Sequence, residues 1–313
     1  MYFGSVRFFK HLILIVIIAV ILSLTLGLVS ANNRCSELTR DAARYEEALS
    51  AIGYVLPGKT DGDSPLTNNK TPAADGPSFT YQTLYPELYV TPAASYAKAP
   101  KNTVYLTFDG GISSNTTAIL DVLKEKDVKA TFFVVGSYCV GCEDVLQRIV
   151  DDGHTLGMRS YSNDSEKIYG TVESFLADFD KCFNLFVDET GVTPTVFRFP
   201  GGSINSYNSG IYQQLIAETT RRGFTFYDWN ILGQDVYSNS SAMITNVLSG
   251  CKTLSGGTVL LHDQSTDAME LRALIDELKA GGYSLAKISS SVQPVVFSYP
   301  TPTETTPSSQ TIK

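Results

Sequence analysis

Four side chains suited to acid–base chemistry stand at the ends of short apolar runs in this sequence. They are Asp109, Arg198, Asp228 and His262. A carboxylate and an imidazole can serve as general base and general acid, and an arginine can orient a carboxylate through its forked N–H donors. Taken singly, these residues could equally be a turn aspartate, a structural ion pair or a buried histidine. Together they indicate acid–base catalysis if the fold brings them to one place.

The segment from residue 102 to 290 alternates β-rich runs with helical patterns, which predicts a parallel α/β sheet or barrel. Predicted strands are Val104–Phe108, Ala130–Val135, Val196–Phe199, Phe224–Tyr227 and Thr258–Leu261. Predicted helices are Thr116–Lys126, Glu143–Asp152, Val172–Asp188, Gly210–Arg222 and Ala242–Cys251. Because the carboxyl ends of parallel strands meet at one face, the four polar positions are expected to converge there.

Five ordered motifs across roughly residues 100 to 290 resemble the polysaccharide deacetylase family with the NodB-homology domain. The motifs are Thr107-Phe108-Asp109-Gly110-Gly111, Gly153-His154-Thr155-Leu156-Gly157 leading into Arg159-Ser160-Tyr161-Ser162-Asn163, Arg198-Phe199-Pro200-Gly201-Gly202, Asp228-Trp229, and Leu260-Leu261-His262. The resemblance implies a distorted (β/α) barrel of about seven strands that acts on N-acetylated glycans.

The resemblance also implies a role for each of the four residues. Asp109 falls on the general base, Arg198 on the residue that orients it, and His262 on the general acid, which the acid at Asp228 tunes. Substrate contacts are expected from four neighbours in the same motifs. These are Trp229, Pro200, Gly201 and Leu260.

The three positions at which the family binds its divalent metal are Gly110, Arg159 and Asn163 in this chain. Glycine offers no ligand, a guanidinium cannot bind a cation, and an amide oxygen is a weak donor. The sequence therefore predicts no family-type metal site and no cofactor. Zinc or another divalent metal would need a rebuilt site, for which Asp164 and His154 beside Asp109 are the candidates. Alternatively, Arg159 fills the place of the cation and pairs with Asp109.

The chain is expected to have five parts along its 313 residues. A basic cytoplasmic segment (1–11) precedes an apolar run (12–29) that is long enough to cross a bilayer. A cleaved signal peptide is the alternative, because Val29-Ser30-Ala31 resembles a processing site. A juxtamembrane helix and stalk (30–100), the deacetylase-like domain (101–290) and a disordered tail (291–313) are expected to follow outside the cytoplasm.

The net charge limits the possible binding partners, and the cysteine content bears on disulfides and metal or redox chemistry. A net charge of -8 speaks against nucleic acid or an anionic membrane surface as the partner. Five cysteines outside the cytoplasm permit disulfides, and the spacing of Cys139 and Cys142 favours a structural disulfide or inert thiols over zinc or redox chemistry.

Three functions remain open from the sequence. The first is a membrane-anchored cell-envelope protein that keeps a glycan-facing groove but lacks metal-dependent activity. The second is an active de-N-acetylase of peptidoglycan or another N-acetylated glycan that uses a rebuilt site. In the third, the barrel is a scaffold for a protein partner that binds the juxtamembrane helix.

Overall fold

The computed structural model describes residues 79–233, 242–263, 266 and 268–298. The predicted cytoplasmic segment, membrane anchor and juxtamembrane helix lie outside these residues, as do residues 299–313. Within the described part of the chain, no helix has the length and apolar character needed to cross a bilayer.

The described residues form eight strands and seven α-helices. The strands are β1 (Thr103–Gly110), β2 (Thr131–Val135), β3 (Thr155–Ser160), β4 (Val196–Phe197), β5 (Thr225–Phe226), β6 (Ile231–Leu232), β7 (Gly256–His262) and β8 (Ser284–Ala286). The helices are α1 (Thr116–Glu125), α2 (Glu143–Asp151), α3 (Ser165–Ile168), α4 (Val172–Thr190), α5 (Tyr212–Arg221), α6 (Met243–Leu254) and α7 (Ala268–Ala280).

All the strand pairs are parallel, and the order across the sheet is β5-β4-β3-β2-β1-β7-β6. β1 is central: it pairs with β7 on one side, and with β2 and β8 on the other. Because no pairing joins β5 to β6 among the described strands, the sheet is an open half-barrel. The predicted parallel α/β barrel architecture is thus confirmed in its coarse form.

The sequence patterns missed β3, β6, β8, α3 and α7. β3 carries Gly157 and Arg159 in place of a β-branched run, so it lacks the usual strand composition. Gly157 is required there, because a Cβ at this position would lie 2.7 Å from the Phe133 ring on β2. At this site the close packing of β2 and β3 determines the residue type, and the low strand propensity of glycine does not prevent the strand.

Helix α4 fixes the strands that carry the two arginines of the candidate site. It begins at a reciprocal cap between Thr171 and Ser174, and ends at Gly191 in the left-handed conformation (φ 66°). Its Phe179 packs edge-on against Phe197 of β4, with ring centroids 5.0 Å apart. Aromatic packing of this kind holds β4, and with it Arg198, in one position.

Residues 79–100, which the sequence assigns to the stalk, pack onto the domain instead. Arg222, fully buried after α5, donates to the carbonyls of Leu84 at 2.8 Å and Tyr85 at 2.9 Å. Leu88 is also fully buried. The stalk prediction was wrong for these residues, because their apolar side chains and free carbonyls complete the end of α5.

The first residues of the predicted tail likewise belong to the domain. The Asp228 N–H donates to the Val295 carbonyl at 2.8 Å, and the Phe297 N–H donates to the Asp228 carboxylate at 2.8 Å. The prediction of disorder from residue 291 is therefore wrong up to residue 298. The apolar run Val295-Val296-Phe297 is the signal that the tail composition concealed.

Candidate active site

Asp109 and Arg198 form a buried ion pair at the carboxyl ends of β1 and β4. Successive strand residues point to opposite faces, so Thr107 and Asp109 share one side of β1. Arg198 Nη1 donates to Asp109 Oδ1 at 2.5 Å and to Thr107 Oγ1 at 2.8 Å. Asp109 is 3 % exposed and Arg198 is fully buried. Asp109 is thus the partner that the sequence required for a buried arginine.

Arg198 makes two further hydrogen bonds to main-chain carbonyls. Nε donates to the Tyr227 carbonyl at 2.8 Å and Nη2 to the Asp228 carbonyl at 3.0 Å. The guanidinium lies 4.3 Å from the centroid of the Phe133 ring. Burial lowers the pKa of Arg198, but a guanidinium with these partners remains charged at neutral pH. Its rigid position in turn fixes Asp109.

Asp228 is held by a second set of donors. Its carboxylate accepts from the Ser203 N–H at 2.8 Å, the Ser203 hydroxyl at 2.5 Å and the Phe297 N–H at 2.8 Å. Burial raises the pKa of the Asp228 carboxyl. These bonds fix the loop after β4 and the segment at Phe297. The role of Asp228 in tuning His262 stays a prediction.

His262 is the last residue of β7 and the register partner of Asp109 on the neighbouring strand. Neighbouring strands lie about 4.8 Å apart, and paired residues face the same side of the sheet. Thr266 donates to the His262 carbonyl from its N–H at 3.0 Å and from its hydroxyl at 2.8 Å, which ties Thr266 to the end of β7. The structure thus brings the expected base and acid positions together.

The three family metal-ligand positions hold groups that do not fit a divalent cation. Arg159 Nε lies 3.8 Å from Asp109 Oδ2, so the guanidinium pairs with the carboxylate as hypothesised from the sequence. Asn163 donates through Nδ2 to the Tyr138 hydroxyl at 3.3 Å. Gly110 has a φ of +137°, and a Cβ there would lie 2.5 Å from Asp263 Oδ1. A divalent cation beside Asp109 would lie close to the positive charge of the Arg159 guanidinium.

The rebuilt metal site with Asp164 and His154 does not form. Asp164 begins α3, where Oδ1 accepts from the Lys167 N–H at 3.3 Å and Oδ2 pairs with Lys167 Nζ at 2.6 Å. His154 precedes β3 at the opposite end of the sheet from Asp109, and its Nδ1 accepts from the Ala130 N–H at 3.1 Å. Across the described ranges, no group of three His, Cys, Asp or Glu side chains is arranged to hold a metal. The structure therefore does not bring Asp164 and His154 together with Asp109.

The four residues that the sequence predicts to contact substrate have different surroundings in the structure. Trp229 packs edge-on against Phe297, with centroids 4.8 Å apart, and faces the Arg198 guanidinium at 5.5 Å. The Pro200 carbonyl accepts from the Tyr169 hydroxyl at 2.8 Å, and Gly201 turns the chain in the left-handed region (φ 78°). Leu260 is 4 % exposed, so it lies in the wall beneath His262.

Three site residues escaped the sequence reasoning: Tyr138, Ser203 and Phe297. Tyr138 lies three residues after an apolar strand, close to the kind of position that identified Asp109. Ser203 and Phe297 carry no such signal, because they reach Asp228 only through loop packing. The four described cysteines, Cys139, Cys142, Cys182 and Cys251, are free thiols, and burial raises the pKa of Cys139 to about 12.

Comparison with known proteins places this geometry in a family. A family model described as polysaccharide deacetylase matches residues 96–219. The putative polysaccharide deacetylase YheN of Bacillus subtilis is 31% identical over 216 residues, which is 67% of this chain and 75% of that protein.

Two solved structures are similar in fold. One is the catalytic domain of peptidoglycan N-acetylglucosamine deacetylase from Eubacterium rectale, with a TM-score of 0.63 and 29% identity over 66% of this chain and 97% of that one. The other is a mutant of BA3943, described as a CE4 family pseudoenzyme with restored enzymatic activity, with a TM-score of 0.55 and 25% identity over 65% and 72% of the two chains. From the ordered motifs, the half-barrel and these relatives, we conclude that this chain belongs to the polysaccharide deacetylase family.

Proposed function

We propose that this protein binds an N-acetylated cell-wall glycan in the deacetylase groove and does not hydrolyse it by the metal-dependent route. The observation that carries the proposal is the Arg159 guanidinium, which lies 3.8 Å from Asp109 at a position where the family places a metal ligand. A fixed cation there satisfies the carboxylate and opposes the entry of a metal ion.

The lost metal is too large a contribution for the remaining groups to replace. A catalytic divalent ion lowers the pKa of bound water from about 15.7 to about 7. At about 1.36 kcal/mol per pKa unit, this difference is about 12 kcal/mol. General acid–base catalysis contributes about 10²–10⁴-fold, or about 3–5 kcal/mol. Asp109 and His262 alone therefore leave most of the barrier in place.

Glycan binding is supported by what the site keeps. Asp109, Arg198 and Trp229 are held in one arrangement by buried contacts, and His262 lies on the strand next to Asp109. The Eubacterium rectale neighbour is a peptidoglycan N-acetylglucosamine deacetylase, and BA3943 is described as a pseudoenzyme of the same family. These relatives support an N-acetylated glycan as the ligand and loss of activity as a known outcome.

We further propose that the protein is anchored in the cell membrane by residues 12–29, with the domain outside the cytoplasm. The apolar run with Arg7 and Lys10 before it supports this orientation. Protease added to intact cells should digest the domain, and the undigested protein should sediment with membranes. Release of the full domain into the medium would instead indicate cleavage near Ala31.

The decisive experiment on the site measures metal content, acetate release and glycan binding on the same purified full-length protein. We expect no stoichiometric Zn²⁺ or Co²⁺, no acetate from chitooligosaccharide or peptidoglycan, and saturable binding of at least one of them. Stoichiometric metal with acetate release that disappears in Asp109→Ala would establish an active enzyme and refute the proposal. A folded protein that binds neither glycan would point to the scaffold function.

A further inference from the structure

Tyr138 is an exposed aromatic side chain in a fixed position beside the candidate site. It ends a short 3₁₀ turn, Gly136–Tyr138, that directly follows β2, and it is 41% exposed. Its ring packs on Gly111, where a Cβ would overlap the ring atoms. Its hydroxyl accepts from Asn163 Nδ2 at 3.3 Å. A large apolar ring is thus kept accessible although contacts on two sides restrict its motion.

The two contacts place Tyr138 next to the former metal pocket. Gly111 follows Gly110, and Asn163 is itself one of the family ligand positions. The ring therefore extends from the end of β1 to the end of β3, at the same edge of the sheet as Asp109. Trp229, three residues after β5, lies 5.5 Å from the Arg198 guanidinium. One aromatic side chain thus packs beside the end of the strand that carries Asp109, and another faces Arg198.

We propose that Tyr138 is a sugar-stacking residue that binds one N-acetylhexosamine ring of an oligosaccharide, an assignment that rests on the proposed glycan-binding function. An aromatic face provides a flat, apolar surface for the C–H face of a pyranose, while neighbouring polar groups can orient its hydroxyl and acetamido groups. The ring has room in this position because Gly111 carries no Cβ, which would overlap the ring atoms.

Calorimetric titration of the full-length protein with chitotetraose tests the assignment. We expect Tyr138→Ala to weaken binding about tenfold, and Tyr138→Phe to change it by no more than about threefold, because phenylalanine keeps the ring face. The matched control is Tyr89→Ala. Tyr89 is also 41% exposed, but it lies 5.0 Å from the Arg222 guanidinium, at the opposite end of the sheet. This control should bind chitotetraose like the unmodified protein.

A second variant moves Tyr138 without removing it. Gly111→Ala inserts a methyl group into the space that the ring occupies, so it should weaken binding although the tyrosine remains. Thermal unfolding of each variant separates loss of binding from loss of fold. Unchanged affinity in a folded Tyr138→Ala variant would overturn the assignment alone. If the unmodified protein binds only peptidoglycan, the same comparison of variants on peptidoglycan tests the assignment. No binding of either glycan by the unmodified protein would overturn the proposed function and this assignment with it.

Discussion

At the scale of single residues, the site is governed by two arginines that converge on one carboxylate. Arg198 reaches Asp109 through a hydrogen bond, and Arg159 approaches its other oxygen. The first contact joins the two residues that the family resemblance assigns to the base and its orienting arginine, and the second comes from a position where the resemblance implies a metal ligand. The same side chain, Asp109, is therefore positioned as in an enzyme and neutralised as in a structural ion pair.

Removal of Arg198 should be far more costly than removal of a surface arginine. Arg198→Met leaves Asp109 buried beside the weaker ion pair with Arg159 and deletes four hydrogen bonds, so we expect a loss of about 3–5 kcal/mol in the free energy of unfolding. Arg272→Met, which breaks an exposed and solvent-screened pair with Glu125, should cost much less. Urea denaturation measures both. Equal losses in the free energy of unfolding would show that the buried pair stabilises the fold no more than the exposed pair does.

Restoring one acid should not restore the metal. Gly110→Asp introduces a Cβ at a φ of +137° and against Asp263, so we expect a loss of about 1–3 kcal/mol in stability and no Zn²⁺ binding. Gly141→Asp is the control, because Gly141 also has a positive φ (+81°) but nothing within 4 Å. Denaturation and metal titration provide the two measurements. Stoichiometric zinc in Gly110→Asp would show that Arg159 does not close the pocket.

At the scale of elements, sequence patterns identified the strands and helices around the ends of β1 and β7, but missed β3, whose composition is unlike a strand, and α7, although its apolar residues have helical spacing. β1, β2 and β7 are long and apolar, so their ends, and with them Asp109 and His262, were predictable. β3 was not, because Gly157 and Arg159 interrupt it for reasons of packing and charge. The pairing of Arg159 with Asp109 could be stated only as a hypothesis, since a distance between two strand ends depends on their register.

The turn before β3 should make the domain sensitive to acid. Burial lowers the pKa of His154 to about 4, below its usual 6.5. A histidine that is neutral in the fold binds a proton more readily after unfolding, so its stabilising effect is complete above pH 6.5 and is lost as the pH falls toward 4. The loss can reach about 3 kcal/mol.

The variant His154→Asn isolates this effect. Asparagine can still accept from the Ala130 N–H, but it does not titrate. We expect the free energy of unfolding of the unmodified protein to fall more steeply between pH 7 and pH 5 than that of the variant. Parallel pH profiles would exclude His154 as the cause.

At the scale of the whole molecule, the folded domain is larger than its motifs indicate. The sequence placed it at 101–290, whereas residues 79–100 and 291–298 complete it at the two ends. These additions were hard to predict because, apart from Leu88 and the short run Val295-Val296-Phe297, they contribute main-chain carbonyls and N–H groups, which carry no sequence signal. Arg222 and Asp228 are the side chains that bind them.

The corrected boundaries can be tested by expressing two pieces. A piece spanning 79–298 should fold cooperatively, because it keeps the partners of Arg222 and Asp228. The piece spanning 101–290 leaves the buried Arg222 without the carbonyls of Leu84 and Tyr85, and Asp228 without Phe297, so it should be insoluble or melt at a much lower temperature. Soluble yield and calorimetric unfolding decide between them. Equal stability of the two pieces would support residues 101–290 as the domain boundaries.

The two glycines after Asp109 also bear on how such a chain can evolve. Asp263 lies against the first and Tyr138 against the second, so any side chain at either position must displace a neighbour. A lineage with this arrangement could place a carboxylate at either position only by passing through a less stable protein. Selection for a stable fold would then act against each such first step, so the two glycines would tend to persist over generations.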